Sequence, residues 1–230
     1  FNTNMAPFDD VMVRQAMSAG TNREEVAKVV RSSELPIRAH PQSPANPTTF
    51  VPDSELPEGV AELWDYNPDL AKEKLAAAGY PDGFQTKLYV RSIALDQDVC
   101  ALLQEQWQEI GVDAEIVVME PSAHASVMYA VDYDGIVYAG TIDAANPIAV
   151  LTSEGKTGAY YNFAGWSNAR YDQLMNALEA ETDVATQNDL IKDASKIMLE
   201  EMPYLALAPS ASRVYWWDWL KNYYGEFSLS

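Results

Sequence analysis

Cysteine and histidine are scarce in this sequence of 230 residues, which contains only Cys100, His40 and His124. A single cysteine excludes an internal disulfide bond, and nucleophilic thiol chemistry would need a basic partner beside it. Cys100 lies on a predicted helix between Val99 and Leu102, so we expect a buried, apolar thiol. The scarcity of cysteine leaves the cellular compartment open.

Basic residues are also few. The chain has 15 Lys and Arg residues against 34 Asp and Glu residues, which gives a net charge of −19 and a sequence pI near 4.3. Binding to nucleic acid phosphates needs clustered Lys and Arg, so this balance argues against a nucleic acid partner. The simplest role for the acidic surface is solubility.

Several motifs of chemistry are missing from the chain. No run of 18 apolar residues is present, which excludes a membrane-spanning helix in this sequence. There is no His-x-His, no H-E-x-x-H and no calcium-loop motif, and neither glycine-rich phosphate loop occurs. We therefore predict no metal and no cofactor.

The most informative segment that is present runs from Tyr66 to Phe84, Y-N-P-D-L-A-K-E-K-L-A-A-A-G-Y-P-D-G-F. Asn67 is a typical helix cap, Pro68 suits the first helical position, and Gly79 suits the helix end. The turn 81–83, Pro-Asp-Gly, then predicts the start of a strand.

Apolar periodicity and caps predict further helices. Thr21 and Glu24 have the spacing of a capping box at the start of one of them. The predicted helices run from about Asp10 to Ala19, Asn22 to Arg31, Pro121 to Ala130, Asn168 to Glu181 and Asp183 to Met202.

A strand, a helix and a second strand follow Phe84 in order. Alternating apolar residues predict strands from Phe84 and from Val112, and a helical period between Val99 and Ile110 joins them. This β-α-β unit predicts parallel strands with a right-handed crossover. We also expect a buried strand at Asp134 to Gly140 and a last strand after Pro203, in Y-L-A-L-A.

Between Ser33 and Asp65, six prolines exclude long helices and central strands. An irregular segment of this length inside a compact domain is commonly functional or covered by a partner.

Four segments together resemble one protein family. The segment Tyr66 to Phe84 looks like the one that opens the second lobe's sheet in family 5 extracytoplasmic solute-binding proteins, the peptide, nickel and opine receptors of ABC importers. The stretch from Phe8 to Ser18 with Thr21 to Glu25 resembles the family's lobe-opening helix pair. Tyr161 to Met175 and the final E-E-M-P-Y-L-A-L resemble two later segments of the family, in the same order.

This resemblance implies a fold and a role. The implied fold class is α/β, a periplasmic-binding-protein-like type II lobe with a mixed sheet and flanking helices. Residues 1–209 would form the second lobe, and residues 210–230 an aromatic segment that returns toward a first lobe. The resemblance also implies that the proline-rich segment at 33–65 wraps over the lobe, with contact to a ligand as the second interpretation. The start at Phe1, with neither Met nor a signal peptide, is interpreted as the beginning of a piece cut from a longer protein.

The implied function is capture of a small solute, an oligopeptide or an amine-bearing compound, between two lobes for uptake through an ABC transporter permease. The implied partners are the ligand, the permease and the first lobe of the same protein. The implied location is periplasmic or otherwise extracytoplasmic, with a lipid anchor possible, and no enzymatic activity is implied.

The candidate binding site is the loop that follows the predicted strand at Asp134, since ligands of open α/β folds gather beyond such strand ends. It resembles the family's G-W-x-x-D-x-x-x-P segment, which implies that Asp143 holds a ligand amino group. A desolvated ammonium must be paired, which gives a carboxylate there a use. The alternative is an Asp that only turns a surface loop. The predicted ligand-binding residues are Tyr138, Gly140, Thr141, Asp143, Arg91, Tyr161 and Trp166.

The sequence departs from the family pattern at two points. Thr141 stands where the family has Trp. Where dipeptide receptors have an Arg for the ligand carboxylate, this chain has Asp96-Gln97-Asp98. Arg91 could replace that Arg, or face solvent. A dipeptide with a free carboxylate is therefore disfavoured, and longer peptides, opine-like amines or sugars stacked on Tyr161 or Trp166 stay open.

Two other functions are weighed against capture of a solute. Gly165 to Ala169 nearly matches the G-x-S-x-G elbow of serine hydrolases, with Ser167 as nucleophile, although Ser167 beside Asn168 also looks like a helix cap. The third interpretation is an interaction module that uses the aromatic tail, with Trp216, Trp217 and Trp219 exposed.

Overall fold

The computed structural model of the chain describes residues 1–29, 38, 40–140, 146–207, 217 and 219–222. Helices alternate with the strands of a small sheet in the middle of the chain. The α-helices of these residues are α1 (Val11–Ala19), α2 (Arg23–Val29), α3 (Pro68–Ala77), α4 (Ala94–Glu109), α5 (Pro121–Ala130), α6 (Pro147–Val150), α7 (Ala169–Ala180) and α8 (Val184–Glu201), and the strands are β1 (Phe84–Arg91), β2 (Val112–Met119) and β3 (Gly135–Val137).

The described strands form one parallel sheet in the order β2-β1-β3. The β1–β2 register runs from Phe84 opposite Val112 to Arg91 opposite Met119, and β3 pairs with the middle of β1. The predicted β-α-β unit with parallel strands, joined by α4, is confirmed, while the right hand of its crossover stays a prediction. The resulting fold is the α/β lobe with flanking helices that the resemblance implies.

β3 is shorter than the strand expected at Asp134 to Gly140. The last hydrogen bond to β1 is donated by the Tyr138 amide to the Tyr89 carbonyl oxygen at 2.8 Å, after which the chain leaves the sheet. Ala139 and Gly140 are small residues with weak strand preference, so they add little to hold the chain in the ladder.

Local capping explains several helix starts. The Asn67 side chain accepts from the Leu70 amide at 3.0 Å, with Pro68 at the first position of α3, as predicted. The Asp10 side chain accepts from the Met12 amide at the start of α1. Each cap satisfies an amide that has no partner within its helix.

The predicted capping box at Thr21 is wrong. The Thr21 hydroxyl donates to the Met17 carbonyl oxygen at 2.7 Å and accepts from the Trp107 indole N–H at 3.0 Å. The Asn22 side chain instead accepts from the Glu25 amide at 3.1 Å. Thr21 lies two residues after the end of α1, so its hydroxyl can bond to a carbonyl oxygen in the last turn of that helix. The same hydroxyl also holds the Trp107 indole of α4 in place.

Apolar side chains form two separate clusters. In the first, Val99, Leu103 and Trp107 of α4 join Leu88 and Val90 of β1, together with residues of α1, α2 and α3. The second lies between α7, α8 and Leu151–Gly155, one π-helical turn that the sequence did not predict. Cys100 is buried in the first cluster, and burial raises the pKa of its thiol to about 12, which confirms the apolar thiol.

Arg23 is a buried cation that joins four segments. Its guanidinium donates to the Ser18 carbonyl and hydroxyl oxygens and to the Ala206 carbonyl oxygen, and it lies 4.5 Å from the centre of the Trp64 ring. Burial lowers its pKa to about 9. The expected strand after Pro203 is wrong within 203–207, where no strand forms and the Ala206 carbonyl oxygen accepts from the Arg23 side chain.

The proline-rich segment touches both clusters where it is described. The Ser18 hydroxyl donates to the Leu63 carbonyl oxygen at 2.8 Å, beside a short 3₁₀ helix at Ala61–Trp64. At its other end, His40 Nε2 lies 2.7 Å from the buried Glu154 carboxylate of the second cluster. Residues 33–37 and 39 of this segment lie outside the described residues.

The Thr21 hydroxyl provides a test of this packing. Replacing it in Thr21→Val keeps the volume but leaves the buried Trp107 N–H without its acceptor, so we expect the free energy of unfolding to fall by about 1–3 kcal/mol. Urea denaturation followed by circular dichroism measures this loss. The exposed control Thr48→Val should change it by less than about 0.5 kcal/mol, and equal losses in both variants would contradict the assignment.

Candidate functional site

The carboxyl ends of all three strands lie at one edge of the sheet, here called the strand-end edge. β1 ends at Arg91, β2 at Met119 and β3 at Val137. The Ser92 amide donates to the Met119 carbonyl oxygen at 2.8 Å, which keeps the first two ends together. In open α/β sheets ligands bind beyond this edge.

Arg91 and Asp96 form an ion pair at this edge. The Arg91 Nε and Nη2 atoms each lie 2.7 Å from Asp96 Oδ2, and the side chains are 37% and 10% exposed. Asp96 lies in the first turn of α4, where the helix dipole also favours a carboxylate. The guanidinium that the sequence suggests for a ligand carboxylate therefore already has an anionic partner.

Tyr138 and His124 are the uncharged groups beside this pair. Burial, together with the nearby Asp96 carboxylate, raises the pKa of the Tyr138 phenol to about 12, so it stays a neutral hydroxyl at ordinary pH. Burial and the Arg91 charge lower the pKa of His124, which is 1% exposed. Its Nε2 atom has no hydrogen-bond partner among the described residues.

Sequence reasoning did not name His124 as part of the site. The available signal was its position, four residues after Glu120, in the helix that begins directly after β2. Any helix that starts at a strand end presents its first turn to the strand-end edge. No metal or nucleophile motif surrounds this histidine in the sequence, so its position in the topology is the signal that identifies it.

Two of the predicted ligand-binding residues, Thr141 and Asp143, lie outside the described residues. The residues on either side are described. Gly140 is exposed just after the last bond of β3, and Asn146 caps α6 by accepting from the Ile148 amide at 2.9 Å. The expectation for Asp143 therefore stays a prediction from the sequence.

Tyr161 and Trp166 are placed away from the strand-end edge. The Tyr161 ring lies 6.0 Å from the ring of Tyr129. Tyr129 is in the last turn of α5, about 13 Å along the helix axis from Glu120 at the strand-end edge. Trp166 is 3% exposed, and its ring lies 5.0 Å from that of Tyr171 in the second cluster. The structure thus gathers Arg91, Tyr138 and Gly140 at one place and these two aromatic residues at another.

Ser167 occupies the turn before α7. Its hydroxyl accepts from the Thr157 hydroxyl at 3.0 Å, while the neighbouring Asn168 side chain accepts from two amides of α7. Neither histidine is among its hydrogen-bond partners in the described part of the chain: His40 pairs with Glu154, and His124 lies at the strand-end edge. The segment is built as a helix start.

Other classes of site receive no support from the described ranges. Over residues 1–29, 40–140 and 146–207, together with the isolated described positions, no group of three His, Cys, Asp or Glu side chains could hold a metal ion. Within the same residues, none of the helices is long and apolar enough to cross a membrane. Trp217 and Trp219 are 74% and 73% exposed, while Trp216 lies outside the described residues.

Known proteins are similar to this chain in sequence and in fold. Residues 1–162 match the model of the family described as bacterial extracellular solute-binding proteins, family 5 middle. The chain is 29% identical over 218 residues to the glutathione-binding protein GsiB of Salmonella typhimurium, covering 90% of this chain and 40% of that protein. It is 25% identical over 218 residues to heme-binding protein A of Haemophilus influenzae, covering 91% and 38%.

Solved structures show the same fold. The periplasmic binding protein DppA of Helicobacter pylori, in complex with the peptide STSA, superposes with a TM-score of 0.77 at 23% identity, covering 90% of this chain and 40% of that one. HbpA2 of Haemophilus parasuis gives 0.78 at 23% identity, covering 91% and 41%. The chain thus spans about two fifths of the proteins it matches. The family model matches more than half of the residues of this chain. The chain therefore belongs to the family 5 bacterial extracellular solute-binding proteins.

Proposed function

We propose that this chain forms one lobe of a receptor that captures a small solute, an oligopeptide or an amine-bearing compound, and delivers it to an ABC transporter permease. The observation that carries the proposal is the family match over residues 1–162, a range that includes all three strand ends and the loop after β3. Family 5 is a family of solute-binding proteins, which supports capture and not catalysis.

The charges at the strand-end edge favour an amine over a free carboxylate as the group to be recognised. Arg91 is already paired with Asp96, so a ligand carboxylate would have to compete with a bonded side chain. Asp143, six residues beyond the end of β3, offers a carboxylate to a ligand ammonium. A buried ammonium without a partner costs several kcal/mol, and such a carboxylate removes that cost.

The neutral groups at the same edge suit a peptide backbone. The Tyr138 hydroxyl stays protonated, and Gly140 has no side chain to keep a ligand main chain at a distance. Relatives named for dipeptides and for glutathione, and a structural neighbour bound to a peptide, support ligands that carry amide groups. The relative named for heme extends the range of ligands that the fold serves.

A second lobe would complete the site. The chain spans about two fifths of its relatives, so we propose that the remaining contacts come from a first lobe that closes over the ligand about a hinge. The exposed Trp217 and Trp219 support a role for residues 210–230 in packing against that lobe, since exposed Trp residues commonly mark interfaces. The proposed location is extracytoplasmic, where the permease receives its solute.

The carboxylate of Asp143 provides the first test. In the receptor that contains both lobes, Asp143→Asn should weaken binding of a peptide with a free amino terminus by about 1.5–3 kcal/mol, because a charge-assisted hydrogen bond is lost. Isothermal titration calorimetry measures the affinity. The same peptide with an acetylated amino terminus should bind the original and the variant receptor alike.

The matched control is Asp82→Asn, which removes an exposed carboxylate in the turn before β1. This variant should bind the free peptide as the original receptor does. If Asp143→Asn also leaves the affinity unchanged, Asp143 does not hold the amino group, although capture of a solute by the receptor would still stand.

Separating the lobes provides the second test. The 230-residue chain alone should bind the same peptide roughly 100-fold more weakly than the two-lobed receptor, because contact area and water exclusion are lost together. Calorimetry on both proteins, with circular dichroism as the check of folding, decides this. Equal affinity in the folded chain alone would refute the two-lobed site.

A further inference from the structure

An exposed aromatic surface lies far from the strand-end edge. It consists of the exposed Tyr129 at the end of α5 and the exposed Tyr160, with the half-buried Tyr161 and the buried Phe163 of the segment before α7 packed against them, and is called here the tyrosine patch. The rings of Tyr129 and Tyr160 are stacked with centres 4.7 Å apart, and Tyr129 and Phe163 meet edge to face at 5.0 Å. Tyr161 lies 5.1 Å from Tyr160.

The patch is held in place yet open to solvent. Tyr160 is 70% exposed and Tyr129 is 39% exposed, although each ring packs against others of the patch. Large aromatic side chains are costly to leave in water, and contiguous exposed apolar surface commonly marks a binding site. Mutual stacking fixes the rings, so a ligand would meet a preformed face.

A cavity of about 370 Å³ adjoins the patch. This volume falls within the range of about 300–1,000 Å³ that is typical of small-molecule sites. No Asp, Glu, Lys, Arg or His lines it, although the whole chain carries a net charge of −19. The lining residues that bear on its chemistry are Tyr129, Thr157, Tyr160, Asn162 and Trp166.

Polar groups of the cavity are fixed by internal hydrogen bonds. The side-chain NH₂ group of the buried Asn162 donates to the Lys156 and Trp166 carbonyl oxygens. Its side-chain oxygen accepts from the Trp166 backbone amide, so this part of the cavity wall is held rigidly. At the rim, the exposed Thr157 hydroxyl lies 3.0 Å from that of Ser167. A hydroxyl can both donate and accept, so each retains capacity for a further hydrogen bond.

We propose that the tyrosine patch and its cavity form a second binding site, for a neutral saccharide. A pyranose ring presents an apolar C–H face that stacks on an aromatic ring, and hydroxyl groups at its edge that bond to hydroxyls such as those of Thr157 and Ser167. An ion or a charged peptide end would find no counter-charge in this cavity. The lining therefore fits an uncharged polyol with one apolar face.

This site is separate from the proposed solute site. α5 begins directly after β2, at the strand-end edge, and reaches Tyr129 about 13 Å farther along its axis. Glycan binding here would leave the strand-end edge free. The two proposals can therefore fail independently.

Saturation-transfer NMR on the full chain, with maltotetraose, cellotetraose and chitotetraose as separate probes, provides the test. At least one of these neutral oligosaccharides should receive saturation from the aromatic protons. Tyr160→Ala should lower its affinity about tenfold, the scale of a lost aromatic contact. Tyr160→Phe, which keeps the ring, should retain most of the binding.

The matched control is Tyr66→Ala, which removes a different exposed tyrosine, next to α3. This variant should bind the saccharide as the original chain does. Tetragalacturonate, a charged probe, should bind more weakly than the neutral ones, because the chain is strongly acidic. Absence of saturation transfer to all three neutral probes, or equal binding by the Tyr160→Ala variant, would overturn the proposal.

A protein partner on the same surface would give a different result. In that case none of the three neutral saccharides would bind at Tyr160. Saturation transfer to them would then be the same for the original chain and for Tyr160→Ala, and the proposal would be wrong. Peptide binding at the strand-end edge, measured by calorimetry on the two-lobed receptor with and without Tyr160→Ala, should be the same in both proteins. A loss of peptide affinity in that variant would contradict the separation of the two sites.

Discussion

The parallel pairing of β1 with both of its neighbours is the constraint on which the rest of the structure depends. It forces each connection to cross from one end of the sheet to the other, so α4 must pack along the sheet. That packing buries Trp107 and Cys100 against the strands and creates the first apolar cluster. The same pairing places the carboxyl ends of the three strands together at the strand-end edge, where Arg91, Asp96 and Tyr138 lie.

Polar contacts join the second cluster to the rest of the chain. The His40 ring reaches the buried Glu154 carboxylate, and the Gln42 side chain donates to the Pro147 carbonyl oxygen at the start of α6. The Arg14 guanidinium likewise donates to the Glu201 carboxylate and carbonyl oxygen at the end of α8. Buried polar groups need such partners, so these contacts also fix how the two clusters meet.

Local signals made much of the fold predictable. Asn67 and Pro68 act within one turn of their own helix, and the alternation from Phe84 depends only on neighbouring residues. Thr21 failed as a cap because its hydroxyl donates to the Met17 carbonyl oxygen of α1 and accepts from the Trp107 N–H of α4, two partners whose positions depend on tertiary packing. The run after Pro203 failed for the same reason, since Arg23, about 180 residues earlier in the chain, takes the Ala206 carbonyl group.

The position of several candidate residues in the fold was predictable, but their pairing was not. A strand followed by a helix predicts where a ligand would meet the sheet, and Arg91, Tyr138 and Gly140 do lie there. The pairing of Arg91 with Asp96 depends on the angle at which α4 leaves β1, which no spacing rule supplies. The ring contacts of Tyr161 depend on a chain reversal that brings residue 129 beside residue 160, and sequence patterns carry no information on it.

The outer position of β2 in the described sheet has a consequence for the behaviour of the molecule in concentrated solution. A strand with one unpaired side can recruit a strand from another copy of the chain. On β2, the exposed Asp113 and Glu115 project from the strand, and each approaching copy would bring the same negative charges toward them. Like-charge repulsion at this margin opposes edge-to-edge aggregation and helps to keep the copies of an already acidic protein apart.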